Sequence, residues 1–203
     1  MELFLLRHGR TYSNDEGRYR GWSEADLSME GRRQAEKTAD YLSRQELDRI
    51  FCSDLYRARE TAQIVGEKCG LKPFPTPLIR EMHFGRWEGL NYEEIMESGE
   101  KEFDSWISNP FSIPVPGGEN LKDVYHRIRQ FEESLHKAGL EGKSVAVVTH
   151  GGLIRTWLFY TMEMKEEDFW NIQIKNASIS LLHKEEDSLQ VVYYNYTDHL
   201  ESM

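Results

Sequence analysis

Three short apolar runs in this chain lack the polar–apolar alternation of a strand that is exposed on one face. They are Leu3–Leu6, Arg49–Cys52 and Ser144–Thr149. An uninterrupted apolar strand is typical of a sheet that is covered on both faces. Helical patterns separate the three runs. The sequence therefore predicts an α/β fold, a three-layer α/β/α sandwich around a mostly parallel central sheet.

The segments between the strands carry helix start and stop signals. Ser28 is a candidate N-cap for a first helix, and Asp54 for a second helix that ends before Gly70. A long amphipathic pattern from about Asn120 to Ala138 predicts a third helix. Another helix is expected directly after His150. This order of strands and helices agrees with the predicted layers.

Residues 84–118 break the regular pattern and contain several prolines and aromatic residues. We interpret them as an insertion above the sheet, with one short helix capped by Asn91 and Glu94. Ala177–His183 and Leu189–Tyr196 flank a polar turn and predict a hairpin at the sheet edge. Because 203 residues suit one well-buried core and no linker divides them, residues 1–203 are predicted to form a single domain.

The chain is acidic, with a formal net charge of -10. Nucleic acids and anionic membranes need a basic protein face, so neither is expected as a partner, whereas a small ligand in a locally basic pocket is allowed. Cys52 and Cys69 form no CxxC pair, and no apolar run approaches the roughly 20 residues that span a bilayer. These features predict reduced thiols and a cytoplasmic location.

Charged and polar residues follow the predicted strands where ligands bind in open α/β sheets, beyond the carboxyl ends of the strands. The first strand runs into Arg7, His8 and Gly9, and the last apolar run ends in Thr149–Gly152. The middle strand leads into SDLYRARET, which contains Arg57. Convergence of two imidazoles and two guanidiniums at the amino end of a helix predicts a phosphate pocket. Gly151 would let the backbone approach the ligand closely.

The pair of histidines indicates how such a pocket would react. One neutral imidazole beside a phosphoryl group can attack phosphorus and form a phosphohistidine that water then hydrolyses. The second imidazole can stay protonated and stabilise charge in the transition state. The leaving alkoxide needs a proton, and LIREMHFGRWEG offers Glu81 and Glu88 as candidate acids.

Four motifs in order along the chain resemble those of the histidine phosphatase superfamily, in its phosphoglycerate-mutase-like branch. They are RHG with Asn six positions after the histidine, SDLYRARET, REMHFGRWEG and VTHGG. The resemblance implies that His8 is the nucleophile, that Arg7, Asn14 and Arg57 bind phosphate, that Glu81 rather than Glu88 donates the proton, and that His150 lies opposite the nucleophile. It implies no metal and no cofactor.

The chain departs from the usual pattern of this family at the mouth of the expected pocket. Family members commonly carry Glu after RHG and Gln near position 20, where this chain has Arg10 and Arg20. The mouth is therefore expected to be more basic than usual, and Arg20 is a candidate substrate-binding residue.

The substrate is a small phosphomonoester in this interpretation. The short chain favours a phosphatase over a phosphoglycerate mutase, and EFDSWISNPFSIPVPGGEN is similar to α-ribazole-5'-phosphate phosphatases of cobalamin biosynthesis. Phe103, Trp106 and Phe111 in this segment are candidates for a flat apolar face against an aromatic base. A broad-specificity or sugar-phosphate phosphatase, a mutase, and a non-catalytic module that binds phosphorylated ligands stay open as alternatives. The sequence also leaves open whether the chain forms a homodimer.

Overall fold

The computed structural model of the protein describes residues 1–12, 17–98, 102–186 and 188–201. Its strands are β1 (Glu2–Arg7), β2 (Arg49–Ser53), β3 (Pro73–Thr76), β4 (Ser144–Thr149), β5 (Ile179–Glu185) and β6 (Ser188–Tyr196). Its helices are α1 (Met29–Leu42), α2 (Tyr56–Cys69), α3 (Tyr92–Glu97), α4 (Glu102–Ser108), α5 (Leu121–Lys137) and α6 (Gly151–Thr161).

The strands form one mixed sheet in the order β3-β2-β4-β1-β5-β6. The first four strands of this order are parallel, and β5 and β6 run antiparallel as a hairpin at one edge. The predicted three-layer α/β/α sandwich is confirmed, and so are the predicted edge hairpin and the three apolar strands. The paired residues Arg7 of β1 and Thr149 of β4 end their strands side by side, which determines where the site lies.

The strands are apolar on both sides because helices cover both faces of the sheet. Phe4 and Leu6 pack with α1 and α2 on one face, and Leu3 and Leu5 pack with α5 and α6 on the other. Burial of such side chains contributes about 1.5–3 kcal/mol each. The two faces therefore anchor the end of β1 from both sides, directly before His8.

Helix boundaries follow local capping chemistry. Ser28 caps α1 through a hydrogen bond from the Gly31 amide, and Asn120 forms a capping box with Asp123 at the start of α5. Gly70 ends α2 in the left-handed conformation. All three boundaries agree with the sequence prediction.

The predicted N-cap of α2 is wrong. Asp54 accepts two hydrogen bonds from Arg80, at 2.7 and 2.6 Å, instead of capping the helix. The first amide of α2, that of Tyr56, donates to the carboxylate of Glu24 at 2.7 Å. A guanidinium offers a carboxylate two parallel charge-assisted bonds, which a single capping bond does not match.

Two elements of the structure, β3 and α4, were not predicted from the sequence. Strand β3 contains Pro73 and Pro75, which disfavour a strand except at a sheet edge, and β3 lies at an edge. Helix α4 is the second helix of the inserted region, for which only one helix was predicted. The two ends of residues 84–118 meet at their base, because the Glu119 amide donates to the His83 carbonyl at 3.0 Å.

The aromatic residues of the inserted region form its own packed centre. Phe103, Trp106 and Phe111 are each only 2% exposed. Trp106 contacts the rings of Tyr19, Phe84, Trp87 and Phe103. None of these three side chains presents an open flat face.

In the described part of the chain, no helix combines the length and the apolar character needed to cross a bilayer.

Candidate active site

The two motif histidines lie side by side where β1 and β4 end. His8 and His150 follow their strands directly, and their ring centroids are 5.2 Å apart. Both are buried, with His8 at 4% and His150 at 0% exposure. The His8 amide also donates to the Thr149 carbonyl at 2.9 Å, which extends the ladder between the strands by one bond. Two positions that are 142 residues apart in the sequence are thus brought into contact.

The backbone determines the tautomer of His8. Its Nδ1 lies 2.7 Å from the carbonyl oxygen of Gly9. A carbonyl only accepts, so Nδ1 carries the proton and donates it, and Nε2 keeps a free electron pair. The pKa of His8 lies well below its usual value, chiefly because the ring is buried and also because the guanidiniums of Arg57 and Arg7 disfavour a positive ring. The imidazole is therefore neutral, as a nucleophile must be.

Gly9 has to be glycine because its backbone touches helix α1. A Cβ at this position would lie 2.3 Å from the carbonyl oxygen of Gly31, well inside contact distance. The Gly9 amide donates to Thr61 Oγ1 at 3.1 Å. These contacts with α1 and α2 fix the carbonyl group that orients His8.

His150 is the N-cap residue of α6, and neither of its ring nitrogens has a hydrogen-bond partner among the described residues. Burial lowers its pKa well below the usual value, and the positive charges of Arg57 and Arg7 add to this effect. Buried polar atoms are almost always hydrogen-bonded in proteins. Both nitrogens of His150 therefore remain available to a ligand that reaches the ring.

Two buried arginines complete the cationic part of the site. Arg57, on the first turn of α2, is 3% exposed and donates to the carbonyls of Gly21 and Ser23 at 2.7 and 2.9 Å. Arg7 donates to the Ile174 carbonyl at 2.5 Å. A Cβ added to Gly151 would lie 3.2 Å from Arg7 Nε, so α6 begins directly against this guanidinium. Burial lowers the pKa of both arginines, yet both stay charged because a guanidinium is not deprotonated in proteins.

Glu81 lies at the amino end of α6. Its carboxylate accepts hydrogen bonds from the amides of Gly152 at 2.9 Å, Leu153 at 3.1 Å and Met82 at 2.9 Å. The sequence predicts that the amino end of α6 binds phosphate, but Glu81 takes two of its amides. A Cβ on Gly152 would lie 2.5 Å from Glu81 Oε1, so the second glycine of THGG makes room for this carboxylate.

A cavity of about 190 Å³ opens beside His8. Its lining consists of Arg7, His8, Thr11, Arg18, Tyr19, Arg20, Ala25, Arg57, Glu81 and Phe84. It holds four arginines against a single carboxylate, although the whole chain is acidic. Such a cavity favours a small anion.

The structure brings most of the predicted site residues to this place. Arg7, His8, Arg20, Arg57 and Glu81 line the cavity. His150 and Gly151 lie directly behind them. Glu88, the other candidate acid, is not part of the lining. Asn14 lies outside the described residues. Within the described ranges, His, Cys, Asp and Glu side chains do not gather in groups of three or more that suit a metal ion.

Sequence reasoning missed several residues that hold the site in place. Arg18 lines the cavity and is paired with Glu94 at 2.5 Å. Arg127 of α5 donates to the carbonyls of Leu78, Arg80 and Glu81 and forms an ion pair with Glu119 at 2.7 Å. Most of these contacts join residues that are tens of positions apart in the sequence, so a local sequence pattern does not predict them.

The chain is similar to known proteins along nearly its whole length. The profile of the Histidine phosphatase superfamily (branch 1) matches residues 3–197. Phosphoserine phosphatase 1 of Hydrogenobacter thermophilus is 34% identical over 98% of this chain and 94% of its own length. Adenosylcobalamin/alpha-ribazole phosphatase of Salmonella typhimurium is 26% identical over 90% of both chains. The crystal structure of the alpha-ribazole phosphatase from Shigella flexneri superposes with a TM-score of 0.87 at 24% identity, covering 97% of this chain and 96% of that one. This last likeness concerns the fold.

The buried neutral histidines predict a loss of stability in mild acid. The pKa values of His8 and His150 are depressed in the folded state, so below the unfolded value of about 6.5 only the unfolded chain takes up these protons. The free energy of unfolding should therefore fall as the pH drops from about 7.5 to about 5.5, by up to about 1.4 kcal/mol per histidine and pH unit below 6.5.

Urea unfolding of the wild type and of His8→Asn across this range measures the effect. Because the two proteins share all other titratable groups, the free energy of unfolding of the variant should depend less steeply on pH. Equal slopes in the two proteins would contradict a neutral, buried His8.

Proposed function

Because the chain belongs to the histidine phosphatase superfamily and is a phosphoric monoester hydrolase, we propose that it works through a phosphohistidine on His8. The observation that carries this proposal is the bond from His8 Nδ1 to the Gly9 carbonyl, which leaves Nε2 unprotonated in a cavity lined by arginines. A fixed lone pair beside an anion site is what an in-line attack on phosphorus requires.

The proposed reaction has two steps. In the first, Nε2 of His8 forms a bond to phosphorus while the bond from phosphorus to the ester oxygen breaks, and the leaving oxygen takes a proton from Glu81. In the second, the oxygen of a water molecule forms a bond to phosphorus while the bond from phosphorus to Nε2 breaks and its electron pair returns to Nε2. Glu81 takes a proton from this water, and inorganic phosphate leaves. His8 returns to its neutral state with its Nδ1 proton still on the Gly9 carbonyl.

Glu81 is placed for proton transfer because it lines the cavity and backbone amides fix the position of its side chain. A carboxyl group next to a phosphate dianion is favoured in its protonated form, because two adjacent negative charges repel. The same residue is then ionised, and ready to accept a proton, once the leaving group has departed.

The positive groups of the site would neutralise the phosphoryl oxygens. We assign phosphate binding to Arg7, Arg57 and the amide of Gly151, and to Asn14 from the sequence motif. His150 would donate from one ring nitrogen to a phosphoryl oxygen, since both nitrogens are without partners among the described residues. A bound dianion favours the protonated form of this ring, which then stabilises charge in the transition state. With this charge supplied by side chains, the proposed reaction uses no metal or cofactor.

The mouth of the cavity supports a small substrate with a second negative group. Arg18 and Arg20 line it in addition to the two buried arginines. A carboxylate on the substrate would suit such a surface, and phosphoserine has one. The similarity to a phosphoserine phosphatase over nearly the whole chain adds support. We therefore propose a small carboxylated phosphomonoester such as phosphoserine as the substrate.

α-Ribazole-5'-phosphate is the second candidate substrate. It is supported by the similarity to the Salmonella typhimurium relative and by the fold of the Shigella flexneri enzyme. The expected stacking face is not available, however, because Phe103, Trp106 and Phe111 are buried in the centre of the inserted region.

We also propose a cytoplasmic location, in keeping with the two free thiols of Cys52 and Cys69.

Replacing His8 by alanine should abolish the hydrolysis of p-nitrophenyl phosphate. Loss of a covalent nucleophile is expected to lower kcat at least about 1,000-fold. His126→Ala, at an exposed position of α5, is the matched control and should leave kcat unchanged. After rapid quenching, a radiolabelled phosphoryl group should stay on the wild-type enzyme in alkali and be lost in acid, as for a phosphoramidate. Full turnover by His8→Ala, or an acid-stable label, would contradict the nucleophile assignment.

Replacing Glu81 by alanine should slow poor leaving groups most. Alkyl phosphates need a proton on the leaving oxygen, so their kcat should fall by about 10²–10⁴-fold. p-Nitrophenolate leaves without a proton, so its release should change far less and serves as the internal control. Equal losses for both substrates would argue against a proton-donating role. Circular dichroism should confirm that α6 is intact, because Glu81 also holds its amino end.

A panel of phosphomonoesters compared by kcat/KM tests the substrate. Phosphoserine should exceed α-ribazole-5'-phosphate, ribose 5-phosphate and p-nitrophenyl phosphate. Arg20→Gln should lower kcat/KM for phosphoserine by about tenfold or more, which is the value of one charge-assisted bond, and affect p-nitrophenyl phosphate little. The control is Arg10→Gln, because Arg10 is exposed and, contrary to the expectation from the sequence, is not part of the cavity lining. A preference for α-ribazole-5'-phosphate would reverse the proposed order.

A further inference from the structure

Glu88 lies outside the cavity but is bound unusually closely to the backbone. Its carboxylate accepts four amide hydrogen bonds, from Trp22 at 2.7 Å, Ser23 at 3.0 Å, Phe84 at 3.1 Å and Gly21 at 3.2 Å. Three of these donors are consecutive residues, which we call the 21–23 turn. A carboxylate with this many donors is held in one position and in its ionised form. The pKa of Glu88 is accordingly lowered, although its partial burial acts in the opposite direction.

The 21–23 turn fits around Glu88 without spare room. A Cβ at Gly21 would lie 2.2 Å from Glu88 Oε1 and 2.3 Å from the carbonyl oxygen of Met82. Only glycine allows this approach. The turn therefore has the shape of a backbone cradle for one carboxylate group, and its position depends on that group.

The opposite side of the same turn holds Arg57. The carbonyl of Gly21 accepts from Arg57 Nη2 at 2.7 Å, and the carbonyl of Ser23 accepts from Nη1 at 2.9 Å. The peptide unit between Gly21 and Trp22 takes part on both sides, because its N–H points to Glu88 and its C=O points to Arg57. The N–H and C=O of a trans peptide point in opposite directions, so this one unit links the negative and the positive group.

We propose that Glu88 is a positioning residue, which fixes the guanidinium of Arg57 for phosphate binding through the 21–23 turn. A guanidinium has five N–H groups. Two are used by the turn carbonyls, which leaves three, and the turn determines their direction. Within the described ranges Arg57 forms no ion pair that would neutralise it, since its bonds go to uncharged carbonyls. This role rests on the proposed function, in which Arg57 binds the phosphoryl group.

The same turn also reaches Glu81. The indole Nε1 of Trp22 donates to the Glu81 carbonyl at 2.8 Å. Glu24, the residue directly after the turn, accepts a hydrogen bond from the Tyr56 amide at the start of α2. A shift of the turn would therefore be transmitted first to α2 and to Arg57 at its beginning. The inserted region, which contributes Glu88, is coupled to the phosphate site by this route.

Glu88→Gln tests the proposal. An amide group has only one acceptor oxygen, so its NH₂ would face backbone amides that also donate, and the turn should move. The affinity for inorganic phosphate, measured by calorimetry, should fall about tenfold, and KM for p-nitrophenyl phosphate should rise with it. Glu132→Gln is the matched control, since Glu132 is another buried carboxylate, bonded to Trp157 Nε1 on the far side of α6. It should leave phosphate affinity unchanged.

A double-variant cycle separates positioning from a general loss of stability. If Glu88 acts through Arg57, Glu88→Gln should cost nothing further in an Arg57→Ala background. The proposal would be overturned if the double variant lost phosphate affinity by the product of the two single losses. It would also be overturned if Glu88→Gln had a lower Tm but an unchanged phosphate affinity.

A readout independent of activity distinguishes this proposal from the proposed function. In nuclear magnetic resonance spectra, the guanidinium N–H signals of Arg57 should be resolved in the wild type and in Glu132→Gln, because two carbonyls restrain the group. They should be averaged in Glu88→Gln. An inactive wild type with this pattern would contradict only the proposed function, while Arg57 signals that are unchanged in Glu88→Gln would contradict only the positioning role.

Discussion

Two guanidinium groups buried beside two imidazoles are the constraint to which the rest of the structure responds. Removing a cation from water costs several kcal/mol unless polar partners replace the water. Arg7 and Arg57 find these partners in the carbonyls of Ile174, Gly21 and Ser23. These carbonyls accept one hydrogen bond from Arg7 and two from Arg57 without cancelling the charge, in contrast to the carboxylates that pair Arg80 and Arg127. The positive charge therefore remains in the site, where it adds to the effect of burial on His8 and attracts an anion.

Backbone hydrogen bonds orient the reactive groups as well as the arginines. The Gly9 carbonyl selects the tautomer of His8, and the amides of α6 hold Glu81. A backbone group cannot rotate away as a side chain can, so these contacts keep the geometry constant between turnovers. Glycines stand at the points of closest approach, at Gly9 against α1 and at Gly152 against Glu81. A larger residue at either position would clash, so the close contact of the glycine backbone is needed for the geometry of the site.

The inserted region contributes to the site from above the sheet. Phe84 enters the cavity lining, Glu88 binds the 21–23 turn, and the buried aromatic residues around Trp106 keep the region packed. The cavity is small and its mouth carries Arg18 and Arg20, so its size and charge restrict the substrate more than any aromatic surface does. The proposed catalytic groups lie at the strand ends, and the residues proposed to select the substrate lie in the loops that cover them.

The sequence was sufficient for the features that depend on short-range patterns. Apolar strands without alternation predicted the layers, Ser28 predicted the start of α1, and an amphipathic pattern predicted α5. RHG and THGG predicted where His8 and His150 leave their strands. The cap of α2 was not predictable from Asp54, because Arg80 competes for it from 26 positions away. Strand β3 was not predicted because its prolines are tolerated only in an edge strand. Which strand lies at an edge is known only once the sheet has formed.

What the sequence by itself determined is the set of reactive residues and the side of the sheet to which they belong, since strand ends and helix caps are encoded locally. Tertiary structure alone decided the placement of Gly9 against α1 and α2, the capture of two α6 amides by Glu81, and the peptide link between Glu88 and Arg57. These depend on contacts between segments tens of residues apart. Their energy comes from hydrogen bonds between groups that only the packed chain brings within about 3 Å of each other.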